Sequence, residues 1–132
     1  MPLRRPAGPT AKKANRHRWL LEPLEEQPTF ESRPMFGALG VYFNGLLVLA
    51  LCDTAEPWRG ILVPTEREAH AALIAEFPAL VPHPVLGKWL YLPESAHSFE
   101  RDAARIVERI RRLDARIGVL PEKRRPKKPR PA

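Results

Sequence analysis

Arg101, Arg105, Arg109, Arg112 and Arg116 recur at intervals of four, four, three and four residues, the spacing that sets side chains in one row along a helix. A row of guanidinium groups offers paired donors to phosphate oxygens. Like charges at these intervals repel one another by a few tenths of a kcal/mol per pair, so the row gives an isolated helix nothing. The other reading is a solvated, salt-bridged face, with Asp102 and Glu108 in reach of Arg105 and Glu108 in reach of Arg112.

Both ends of the chain are basic. Residues 1–18 hold Arg4, Arg5, Lys12, Lys13, Arg16 and Arg18 with no acid, a net charge of +6. Residues 121–132 set Lys123, Arg124, Arg125, Lys127, Lys128 and Arg130 against Glu122, a net charge of +5. Such cations bind a phosphate backbone by releasing its counterions, an affinity that ignores base sequence and falls with salt. No aromatic residues are interleaved with them, so these ends offer no stacking platform, and contact is expected to the backbone. The prolines in Pro126-Lys-Lys-Pro129-Arg-Pro131 favour an extended, polyproline-like conformation.

Signs of catalysis are weaker. His17, His70, His83 and His97 stand far apart, and none pairs at i, i+4, so neither a metal nor any other cofactor is expected. His70, on the outer side of a predicted helix, and His83, between two prolines, are expected at the surface. Cys52, the single cysteine, lies in an apolar run and is expected in the core. The glycines of Met35-Phe36-Gly37-Ala38-Leu39-Gly40 lack a following phosphate-binding lysine and read as a tight strand entry. No nucleophile elbow or phosphate loop is present, which leaves an enzyme assembled from distant residues as the least favoured reading.

The elements that must position these groups follow from pattern. At 132 residues and 44% hydrophobic composition, the chain can build one core. Its longest apolar run, residues 46–52, is far short of the ~18 to 20 residues of a membrane helix. The first residues lack the apolar block of a secretory signal, so a soluble, cytoplasmic protein is expected.

Residues 19–24 have helical spacing, with Pro23 tolerated in a first turn. Residues 39–43 read as a strand, Asn44-Gly45 as a tight hairpin turn, and residues 46–52 as a central strand covered by helices on both faces. A third strand, residues 61–63, ends at Pro64. Thr65 and Glu68 then form a capping box for a helix to about Phe77, with Ala69, Leu73 and Phe77 inward and Pro78 as the stop. Residues 88–92 form a fourth strand, and a last helix begins near Ser98 and runs through Ile117 to Gly118. The expected fold is α+β, a mainly antiparallel four-stranded sheet covered by helices in the order α-β-β-β-α-β-α. It spans residues 19–120, with disordered basic tails at 1–18 and 121–132. That body carries 10 basic and 14 acidic residues, so the positive charge belongs to the tails.

Arg33-Pro-Met35-Phe36-Gly37-Ala-Leu-Gly40-Val-Tyr42-Phe-Asn-Gly45, after a short helix and before an apolar strand, resembles the amino-terminal domain of TfoX/Sxy-type proteins over about residues 19–93. Trp89-Leu-Tyr91-Leu-Pro93 is similar to a later strand of that family. Ala38 and the Ile61-Leu-Val-Pro64 strand depart from its pattern. The resemblance implies a regulatory protein of bacterial type without catalytic residues. The expected activity is therefore non-enzymatic binding or regulation, with Lys12, Lys13, Arg16, Arg18, Arg105, Arg109, Arg112, Arg124, Arg125, Lys127 and Lys128 as phosphate contacts. A protein-interaction module with incidental tails is the alternative, and a cryptic enzyme the second alternative.

Overall fold

Asn44 and Gly45 both have positive φ, 55° and 84°, as a two-residue hairpin turn of the type I′ kind demands. They join the two longest strands of an entirely antiparallel sheet. The computed structural model describes residues 15–35 and 37–121. A 3-10 turn, Arg18–Leu21, runs into α1 (Glu22–Glu25) and is followed by β1 (Glu31–Met35), β2 (Ala38–Phe43), β3 (Leu46–Asp53) and β4 (Arg59–Val63). A second 3-10 turn, Arg67–Ala69, leads into α2 (His70–Glu76), and β5 (Val81–Pro82), β6 (Leu90–Pro93) and α3 (Phe99–Arg111) complete the chain.

The sheet has six strands in the order β1-β2-β3-β4-β6-β5, not the expected four. The two additions form its edges. β1 carries Pro34 and mostly exposed side chains, a pattern that reads as loop and that only an edge strand tolerates. β5 has two residues, one of them proline, too few to show alternation.

Helices cover one face only, contrary to the two-sided cover expected. Leu21 and Leu24, Leu73 and Phe77, and Ala103, Ile106, Val107 and Ile110 pack onto Val41, Leu49, Leu51, Ile61, Val63, Leu90 and Leu92 in one core. The opposite face is built from Ala38, Ala50, Cys52, Leu62 and Tyr91, packed by Met35, Trp58, Leu86 and Trp89. The Ala55–Trp58 turn and the loop that follows His83 take the place of a second helical layer.

Two helix boundaries differ from expectation for identifiable reasons. Thr65 is fully buried and caps nothing, because its hydroxyl donates to the Arg116 carbonyl at 2.6 Å, tying the chain after α3 to the end of β4. Helix entry falls instead at Glu66, through a 3-10 turn without a side-chain cap. α3 ends at Arg111, well before Gly118. Leu113 takes the left-handed conformation, φ 61°, with its N–H bonded to the Ile110 carbonyl and that of Asp114 to the Arg109 carbonyl, the paired closure of a Schellman motif.

Residues 15–18, assigned to the first tail, are part of the fold. Asn15 Nδ2 donates to the Leu51 carbonyl at 2.9 Å, and His17 is 4% exposed. At the other end Val119 pairs with Leu47 through two backbone hydrogen bonds of 2.9 and 3.0 Å. Among the described residues no helix is long and apolar enough to cross a membrane.

Candidate functional site

The arginine row is gathered by an acid from another element. Arg109 donates to Glu76 of α2 through Nε at 2.9 Å and also through Nη2. Arg116 Nη2 donates to the other Glu76 oxygen at 2.8 Å, and Arg105 Nη2 stands 3.9 Å away with its guanidinium 5.3 Å over the Phe77 ring. Hydrogen bonds from Arg109 and Arg116 hold the Glu76 carboxyl below its usual range. The row is paired with carboxylates, with Arg105 beside Glu76 instead of the expected Asp102 or Glu108 and Arg112 on Glu108 as expected. Sequence spacing holds no signal for a partner 29 to 40 positions away in the chain.

Around the rest of the row the pairing is local. Arg112 Nε donates to Glu108 at 2.9 Å and Arg111 to the same carboxylate at 2.6 and 3.0 Å. These bonds, Arg111 first, hold Glu108 at about 2. Arg101 reaches Asp102 at 3.3 Å. Arg116 lies past the end of α3 and closes on Asp114 at 2.7 Å.

The two candidate phosphate contacts at the start of the described chain, Arg16 and Arg18, are also paired. Arg16 binds Glu94 through Nη2 at 2.7 Å and its backbone N–H reaches Asp53 at 3.2 Å. Arg18 stands 3.8 Å from Glu25. Lys12, Lys13, Arg124, Arg125, Lys127 and Lys128 lie outside the described residues. Among the described residues every Lys and Arg except Arg67 has a carboxylate oxygen within 4.0 Å.

Two histidines are buried, one against expectation. His83 is 1% exposed, held between the Trp58 and Tyr91 rings. Its Nδ1 accepts from the N–H groups of Val85 and Leu86 at 3.1 and 3.0 Å, and its Nε2 lies 2.7 Å from the Pro57 carbonyl. With Nδ1 accepting, Nε2 carries the proton and donates to Pro57. His83 is thus the pin of the loop that covers the second sheet face, tying that loop's own N–H groups to Pro57 and Trp58, which are distant in sequence. His17 packs its ring against Phe99 at 5.2 Å. Its Nε2 lies 3.1 Å from Glu94, off the direction a hydrogen bond requires, and has no hydrogen-bond partner among the described residues. Burial pushes the His17 imidazole below its ordinary value against the opposing pull of Glu94.

Cys52 is buried as expected, and burial pushes its thiol up to about 12, which leaves it protonated and unreactive at neutral pH. No group of three or more His, Cys, Asp or Glu side chains placed to hold a metal occurs among the described residues.

The helix-free face carries two grooves. One, of about 490 Å³, is lined by Gly37, Ala38, Cys52, Thr54, Trp58 and Leu86. The other, of about 640 Å³, runs past Met35, Tyr42, Leu47 and Trp89 to Pro121, with Arg33, Glu66 and Lys88 on its rim. Sequence reasoning missed both, because it placed helices over this face. No protein-family model, no curated protein and no solved structure matches the chain.

Proposed function

We propose that this chain is a non-catalytic binding domain, of the TfoX amino-terminal type suggested by residues 33–45, that holds nucleic acid through phosphate contacts made by its two basic ends. The observation that supports this reading is the partition of charge. Residues 15–121 carry 12 basic and 14 acidic residues, and the basic ones are almost all engaged with carboxylates. Residues 1–14 and 122–132 carry 10 basic residues and one acid. A phosphate approaching Arg105, Arg109 or Arg112 must displace a carboxylate already bound, whereas Lys12, Lys13, Arg124, Arg125, Lys127 and Lys128 have few acids near them in sequence. The binding is of the tethering kind, insensitive to base sequence.

Fluorescence anisotropy with duplexes of two unrelated sequences, across a salt series, tests this on the full chain. The expected result is equal affinity for both, falling at least about 100-fold between 50 and 200 mM salt, as release of counterions from roughly five phosphates requires. A dissociation constant indifferent to salt, or absence of binding at low salt, overturns it. A second reading, a protein-interaction module, is favoured by the aromatic grooves on the helix-free face, since Trp, Tyr and Met are enriched at interface cores.

A further inference from the structure

A cavity of about 670 Å³ opens where the start of the described chain meets the first turn of α3. Its lining includes Trp19, which is 50% exposed and so offers a ring face to a planar ligand. His17 is buried in the same lining, and its Nε2 is the one enclosed side-chain nitrogen or oxygen without a hydrogen-bond partner among the described residues. A buried polar atom in that condition is rare enough to need a cause. The first turn of α3 adds donors. The N–H groups of Glu100 and Arg101 precede the first i→i−4 bond of the helix, from the Asp102 N–H to the Ser98 carbonyl at 2.9 Å. Acceptors stand beside them: Ser98 gives its hydroxyl proton to Asp102 at 2.7 Å, and Glu94, held by Arg16 at 2.7 Å and Arg59 at 3.4 Å, keeps lone pairs to spare. Arg16 and Arg101 balance Glu94 and Glu100 in the lining, so the cavity suits an uncharged ring better than an isolated phosphate.

We propose that this cavity takes an unpaired nucleobase of a single-stranded nucleic acid, stacked on Trp19 with its polar edge against the first turn of α3. A base is planar and uncharged and carries donors and acceptors on its edge, the combination that this lining complements. Lys12 and Lys13 precede Arg16 by four and three residues, at most about 14 Å of chain, so a strand engaged by those cations has its bases within reach of the cavity. The choice of a base over another planar ring therefore rests on the proposed phosphate contacts, whereas the stacking itself does not. The basic ends have no aromatic platform of their own, and stacking is tolerant of base identity. The cavity thus adds affinity for unpaired strands without adding base-sequence specificity.

The test uses the full chain with an oligothymidylate strand and an abasic strand of equal length and charge, compared by fluorescence anisotropy at low salt. The oligothymidylate is expected to bind at least about fivefold more tightly, the low end of what one stacked base contributes. It is also expected to shift the Trp19 indole N–H signal in ¹H–¹⁵N NMR spectra, which the abasic strand leaves in place. Trp19→Ala is expected to erase the preference while abasic binding stays within about twofold, and Trp19→Phe to retain most of it. The indole shift reads the same contact without a substitution, so the test does not depend on the fold of either variant. Equal affinity for the two strands, or a preference that survives Trp19→Ala, overturns the inference and leaves the phosphate contacts standing. Binding of the oligothymidylate with none of the abasic strand overturns the phosphate contacts alone, and failure of both strands to bind overturns both.

Discussion

His17 and His83 are both buried, and the difference between them is the number of partners. The His83 ring has three hydrogen bonds, which fix its orientation between the Trp58 and Tyr91 rings. His17 is held by packing against Phe99 beside a misaligned carboxylate, so protonation would place a charge where no hydrogen bond receives it. Its imidazole is lowered in the folded chain from an ordinary 6.5. A lowered folded value means that the unfolded chain binds the proton more readily. Stability from this group is therefore full above about pH 6.5 and is lost as pH falls through the folded value. Urea unfolding at about pH 7 and about pH 5 should show lower stability at the acid end, with a gradient of at most about 1.4 kcal/mol per pH unit from this one proton. His17→Phe should flatten that gradient, and an unchanged gradient would sink the assignment. Neither burial was legible in the sequence: His83 looks like a loop residue between prolines, and its partners Pro57, Trp58 and Tyr91 come from two other segments.

At the scale of elements, sequence signals worked where the determinant is local. The Asn44-Gly45 turn, the apolar run of β3, Leu73 and Phe77 on α2 and the Ile106, Val107, Ile110 stripe of α3 are all determined by neighbours within a few residues, and all have the expected form. Signals failed where a tertiary contact overrides them. Thr65 has the residue type of a cap, but Arg116 takes its hydroxyl. α3 lacks glycine at its stop, so periodicity alone ran on to Gly118. Leu113, 59% exposed, pays the left-handed penalty of roughly 1–2 kcal/mol for a side chain it barely buries. Leu113→Gly is expected to raise stability by about 0.5–1 kcal/mol once glycine's greater unfolded-state freedom is subtracted. Denaturant midpoints measure this, and a lower midpoint would mean that what packing the Leu113 side chain retains outweighs the strain.

For the whole molecule, two asymmetries organise the account. One is geometric: three helices lie on one sheet face, and short loops pinned by His83 lie on the other. The α+β antiparallel character of the sheet was legible because hairpin turns and strand composition are local. One-sided cover was not, because β3 is apolar on both faces whether a helix or Trp58, Leu86 and Trp89 lies above it. The other asymmetry is electrostatic. The division of charge between body and ends can be counted in the sequence, but the neutralisation of the arginine row by Glu76 emerges only when α2 and α3 are packed together. Arg16 and Arg18 also move from the tail to the body, and a truncation at Trp19 would remove the buried His17. The role of the ends is best probed by substitution in the full chain.

The most direct measurement compares duplex binding at low salt by two full-length variants, Arg124→Gln, Arg125→Gln, Lys127→Gln, Lys128→Gln in one and Arg105→Gln, Arg112→Gln in the other. If phosphate contact belongs to the ends, the first should weaken binding at least about tenfold and reduce the salt slope by up to about four. The second should stay within about twofold of the native chain, because its arginines are already satisfied by carboxylates. The reverse order, with the helix variant crippled and the tail variant unaffected, would contradict the account and place the interface on α3.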